Sequence, residues 1–183
     1  MEAVTQASLD RLRTGDREQQ DAAYNHLMAV TDTPVSWAYE VWGEVVSLLA
    51  HPSNRTRAIA SQVLCNLAKS DPEARILEDF DALLAVTRDE RFVTARHCMQ
   101  SLWKVGIAGP RQRQRVLSGL ESRFRECVVE KNHTLIRFDI VESLRKVYDQ
   151  TGDVSVREKA LELIGMEDDL KYRKKYARLW PAR

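Results

Sequence analysis

The sequence predicts an all-α fold: a right-handed α-α superhelix of about four helix pairs with extra capping helices at both ends. Three observations lead there. Pro34, Pro72 and Pro110 stand 38 residues apart, each after a residue able to cap a helix: Thr33, Asp71 and Gly109. Apolar positions keep the same period, since Ala60, Leu64 and Leu67 fall on Cys98, Leu102 and Val105. No run alternates with the period of two that marks a strand. A period of 37 to 42 residues with two helices per unit is the mark of an α-solenoid, in which neither helix can bury its apolar face without a neighbour.

The elements follow in chain order. A short helix near 2–13 closes the first end. The first helices of the pairs are expected near 17–31, 54–69, 90–106 and 133–149, and the second near 34–50, 72–88, 110–129 and 154–164. In the second pair Ala60, Val63, Leu64 and Leu67 recur at i, i+3, i+4 and i+7, the stripe a helix buries. Ala23, Leu27 and Val30 extend the ladder backward by 37 residues, and Ile136, Ile140, Leu144 and Val147 extend it forward. A last helix near 167–180 closes the other end. The chain then reads as one domain over 1–183, with repeats near 17–50, 53–88, 90–129 and 132–165.

Composition sets bounds. Of 183 residues, 44% are hydrophobic and 30% charged, too apolar for disorder and sufficient for one core or a short array of repeats. Basic and acidic residues number 28 and 27, so no net field draws the whole chain to nucleic acid or to an anionic membrane. The first residues lack the basic and apolar segments of a secretory signal, and no apolar run approaches membrane-spanning length, so a cytoplasmic protein with no membrane partner is expected. Cys65, Cys98 and Cys127 are odd in number and far apart, which suits reduced thiols.

The stretch VVSLLAHPSNRTRAIASQVLCNL resembles a HEAT repeat, with its leucine pair, short turn, Thr56-Arg57 step, small Ala60 and closing leucines. The Ile136-Arg137 step in TLIRFDIVESLRKV repeats the pattern, whereas the third copy has Thr94-Ala95 where an arginine would be usual. The resemblance covers roughly 9–165. It implies an armadillo-like scaffold whose concave face, lined by second helices, grips a protein or occasionally nucleic acid. It also implies that Arg57 and Arg137 bond to an acid or a carbonyl in a neighbouring turn, tying repeats together. Fold alone does not settle function.

Signatures of chemistry are sparse. His26, His51, His97 and His133 stand alone, without Cys-x-x-Cys or His-Glu-x-x-His spacing, so no metal site is assigned. There is no nucleophile elbow, P-loop or dinucleotide fingerprint, so no catalytic residue and no cofactor are assigned. Cys98 aligns with Ala60 and Ile140, which points to inert core.

The second helices carry the candidate contacts. In PVSWAYEVWGEVVSLLA the buried stripe leaves Trp37, Tyr39, Glu40 and Glu44 with some exposure, and Trp37 either anchors a partner or packs on the first capping helix. Residues 71–81 hold five acids and one arginine, whereas PRQRQRVLSGLESRFRE holds Arg111, Arg113, Arg115, Arg123 and Arg125. Arg111 and Arg113 oppose the helix dipole, so they call for an acid. That acid is either internal, in 71–81, or external, as phosphate or an acidic peptide. The tail KYRKKYARLWPAR carries Lys171, Arg173, Lys174, Lys175, Arg178 and Arg183 with no acid. Its Tyr172, Tyr176, Leu179 and Trp180 lie at helical spacing, so capping is the main role expected and phosphate contact an added one.

The function expected is a non-enzymatic protein- or peptide-binding scaffold. The alternative is a nucleic-acid-binding protein related to HEAT-like DNA alkylation-repair glycosylases, although Ile107 follows Trp103 by four residues and Val41 follows Trp37 by four, where an aspartate would be needed. HEAT-like bilin lyases are a weaker alternative, with no specific residues to carry over.

Overall fold

The computed structural model describes residues 2–181. Among them are eleven α-helices and no strand, so the chain is all-α. No helix among the described residues is long and apolar enough to cross a membrane. The chain divides into two compact units, one ending at Ser101 and the other beginning at Leu102.

The first unit holds α1 (Ala3–Thr14), α2 (Arg17–Val30), α3 (Ala38–Leu48), α4 (Asn54–Leu67), α5 (Ile76–Val86) and α6 (Phe92–Met99). Helices α2, α4 and α6 pack side by side as one layer, α3 and α5 as a second, and α1 lies against α2 and α4. Helix α4 is the centre of this unit, because eleven of its fourteen residues are buried. A helix buried on nearly every side must satisfy most of its polar groups internally, and the buried hydroxyls and amide of α4 show how. Thr56 donates to the Leu12 carbonyl, Ser61 to that of Ala58 and Asn66 to the Thr31 hydroxyl. Cys65 lies in the same core with no exposed surface.

The second unit holds α7 (Trp103–Ile107), α8 (Pro110–Glu126), α9 (His133–Thr151), α10 (Val154–Gly165) and α11 (Leu170–Ala177). Helix α9 packs on α7, α8, α10 and α11, and α8 also touches α10. Helix α9 ends at Gly152, whose φ of 66° favours a residue without a Cβ. Helix α11 caps the unit: Tyr176 is fully buried and donates to the Thr134 carbonyl, and Trp180 is buried against Tyr148.

Three helix boundaries differ from the sequence reading. Of the three prolines, only Pro110 stands at the start of its helix; α3 and α5 begin four residues after Pro34 and Pro72. At the second site Asp71 does cap, but across a turn. Its carboxylate accepts from the backbone N–H of Arg75 and Ile76, and Ala74 takes a left-handed φ of 58° to close that turn. The helix expected near 90–106 is interrupted after Met99. Ser101 Oγ donates to the His97 carbonyl four residues back and its N–H turns to Cys98, a competition that bends helices.

Candidate functional site

The two arginines of the Arg57 and Arg137 steps build the same device, once in each unit. Arg57 donates Nε and Nη2 to the two carboxylate oxygens of Asp89, at 2.6 and 3.0 Å, and Nη1 to the carbonyls of His51 and Pro52. Burial works to raise the Asp89 carboxyl, but the bonds from Arg57 and from the Arg91 N–H outweigh it and hold the group below its ordinary value. Arg137 donates Nη1 to Glu167 at 3.0 Å and Nε to the Phe124 carbonyl at 3.2 Å, with its guanidinium 4.5 Å from the Phe124 ring centroid. Each arginine thus binds an acid in the turn after the following second helix. Ala95, the third copy's equivalent, is simply buried.

The α3 candidates divide. Trp37 is half-buried at the head of α3 and Glu40 is exposed. Tyr39 is committed: its hydroxyl donates to Asp71 at 2.6 Å and accepts from the Glu73 N–H, and Arg75 covers its ring at 3.9 Å. Burial, and then that bond to Asp71, raise the phenol above its ordinary value. Glu44 is likewise turned inward, within 3.1 Å of Arg13 and accepting from Gln6. Trp42 Nε1 donates to Asp79 at 2.8 Å. Acids of 71–81 therefore have partners on the preceding second helix, α3.

The arginine cluster on α8 is also largely spoken for. Arg113 pairs with Asp153 at 2.7 Å. Arg123 is only 1% exposed and grips Glu130 with both terminal nitrogens, so it is a core residue rather than a surface contact. Arg125 bridges Glu121 and Glu162. These partners come from the same unit and not from 71–81. Arg111 is exposed and Arg115 half-buried.

On the terminal helix, Lys171, Lys174, Lys175 and Arg178 are exposed, while Arg173 is half-buried and donates to the Glu167 carbonyl. Of the neighbouring aromatics, Tyr176 and Trp180 are buried in the core, while Tyr172 and Phe138 are half-buried beneath Lys171 and Lys175. Arg183, the tail's last basic residue, lies outside the described residues.

Two depressions in the first unit were not legible in the sequence. One, of about 260 Å³, runs between α3 and α5, walled by Val46, Leu49, Ala50, Ala82 and Ala85, with the Arg57–Asp89 pair at its base. The other, of about 250 Å³, lies on the α2, α4 and α6 layer and gathers Tyr24, Arg55, Gln62 and His97. There Arg55 pairs with Asp21, Tyr24 donates to Gln62, and burial together with Arg96 holds His97 below its ordinary value. Outward positions on three separate helices make each depression, and no local motif announces such a set.

The thiols are poor nucleophiles. All three cysteines are fully buried, and burial pushes Cys98 up to about 12 and raises Cys127. Among the described residues no group of three His, Cys, Asp or Glu side chains is placed to hold a metal ion.

An all-α chain of packed helix pairs is what the fold defines. No protein-family model matches the sequence, and no curated protein matches it. Among solved structures, an engineered protein from the Northeast Structural Genomics Consortium superposes with a TM-score of 0.60 at 16% identity, covering 98% of this chain and 78% of that one. A second engineered protein from the same consortium superposes with a TM-score of 0.56 at 19% identity, covering 98% and 80%. At such identities the likeness is one of fold alone.

Proposed function

We propose that this chain is a HEAT-like repeat scaffold that binds a protein or peptide through the face of its second helices and performs no chemistry of its own. The arginine-to-acid tie, made at equivalent positions of two repeats, supports the HEAT-like reading. Three cysteines without a disulfide support a reducing compartment such as the cytoplasm.

The observation that carries the binding role is the groove between α3 and α5. Its walls are aliphatic and small, Ala50, Ala82 and Ala85 are open to solvent, and Trp37 and Glu40 lie on the same helix as one wall. An apolar side chain of a partner could be buried there while its polar flanks meet Glu40.

Peptides selected from a displayed random library on the wild-type protein test this reading. Binding should weaken roughly tenfold or more in Ala85→Glu, which places a carboxylate against the apolar wall, and should also weaken in Trp37→Ala. Failure to select any peptide, or equal binding by both variants, would reject the groove.

A further inference from the structure

The outer face of α11 concentrates positive charge, and among the described residues no ion pair engages its four exposed cations. Residues 170–181 contain Lys171, Arg173, Lys174, Lys175 and Arg178 and no acid, five positive charges in all. Four of these, Lys171, Lys174, Lys175 and Arg178, are exposed at i, i+3, i+4 and i+7 and rim a shallow depression of about 580 Å³ with Leu170. Seven residues of helix span about 10 Å, within the Debye length of about 8 to 10 Å at moderate salt, so the four charges act together.

Acids close by are already engaged. Glu142 pairs with Lys146, Asp149 with Arg145, and Glu167 with Arg137. Asp169 caps α11 by accepting from the Lys171 and Tyr172 N–H groups. Asp168 remains exposed at the helix N-terminus, where the dipole favours an acid. Lys175 lies 4.6 Å from the Phe138 ring centroid, a contact that leaves its charge intact.

We propose that this face binds the phosphate backbone of double-stranded nucleic acid without sequence preference. A duplex offers closely spaced anions on a stiff rod, one per about 1.7 Å of axis, so four cations on one helix face meet several phosphates at once. Tyr176 and Trp180 pack on Phe138 and Tyr148 of α9, and the half-buried Tyr172 lies against Tyr176, so the outward cations make phosphate contact the main means of binding. An anionic bilayer would attract the same cations, but with Leu170 as the aliphatic residue to insert, that attachment stays weak. An acidic peptide would have to be ordered on binding, which a duplex does not require. This surface is separate from the α3–α5 groove, so either proposal can fail without the other.

Fluorescence anisotropy on two unrelated labelled duplexes, from about 50 to 200 mM KCl, tests it. Four phosphate contacts predict a slope of log K against log salt of roughly −3.6 and a loss of roughly 100-fold over that range, the same for both sequences. The triple variant Lys171→Gln, Lys174→Gln, Arg178→Gln should flatten the slope by roughly 2.7, with an unchanged thermal melt. Lys131→Gln, at another exposed cation, should leave binding as in the wild type. No duplex binding at the lowest salt overturns the proposal, as does binding that the triple variant leaves intact. So does variant-sensitive binding to polyglutamate or to phosphatidylserine vesicles without binding to duplex.

Discussion

The two units carry the same tie in different surroundings. In the first, Arg57 holds Asp89 through both carboxylate oxygens, with side-chain exposures of 15% and 4%, beside an open groove. In the second, Arg137 holds Glu167 by one bond, with exposures of 8% and 3%, under the Phe124 ring and next to the capping helix. Two bonds near solvent are thus set against one bond in a drier site. A charge left without its partner costs more where water is excluded, so burial rather than bond count should rank the two ties.

Arg137→Ala should therefore have the largest effect, about 3 to 5 kcal/mol in urea unfolding, because it strands Glu167 in the core. Arg57→Ala should cost less, about 1.5 to 3 kcal/mol, since water can reach the groove beside Asp89. The reverse order would mean that bidentate geometry, not burial, sets the strength of the tie.

Thiol labelling can read the units separately, because Cys65 and Cys98 lie in the first and Cys127 in the second. All three should resist labelling in the native protein. Arg137→Ala should speed labelling of Cys127, and Arg57→Ala that of Cys65 and Cys98. Equal acceleration of all three in either variant would show that a tie protects the chain as a whole.

Acid should erode the first tie in a defined direction. The Asp89 carboxyl is depressed in the folded state below its ordinary 3.8, so the stability it contributes is present above that value and lost as pH falls through the folded one. The gap between wild type and Asp89→Asn should narrow on going from about pH 6 to about pH 3; a constant gap would show that the carboxylate's charge is not what matters. The smallest effect belongs to Arg125→Ala. Arg125 is 45% exposed and bridges surface acids, so its loss should shift the urea midpoint least of these variants.

Much of the polar wiring follows the repeat that the apolar ladder announces. Tyr39 reaches Asp71 across 32 residues, Trp42 reaches Asp79 across 37, Arg125 reaches Glu162 across 37 and Arg113 reaches Asp153 across 40. A search for complementary pairs about one repeat apart would have found them and withdrawn Tyr39, Arg113 and Arg125 from the candidate contacts. Arg123 escapes that rule, because its partner Glu130 is seven residues away across a turn.

By itself the sequence determined the all-helical class, the order of the helices, the buried ladder around Ala60, Leu64 and Leu67, and the two arginine steps. Those features follow from periodicity, which is local or repeats at a fixed interval. Tertiary structure alone decided the break after Met99, the delayed starts of α3 and α5, the division at Ser101 and which cations stay unmatched. Each of these depends on competition between groups brought together by packing: a serine hydroxyl against a backbone bond, a capping carboxylate across a turn, an acid shared between helices. Spacing names the competitors, and only proximity in the folded chain selects the winner.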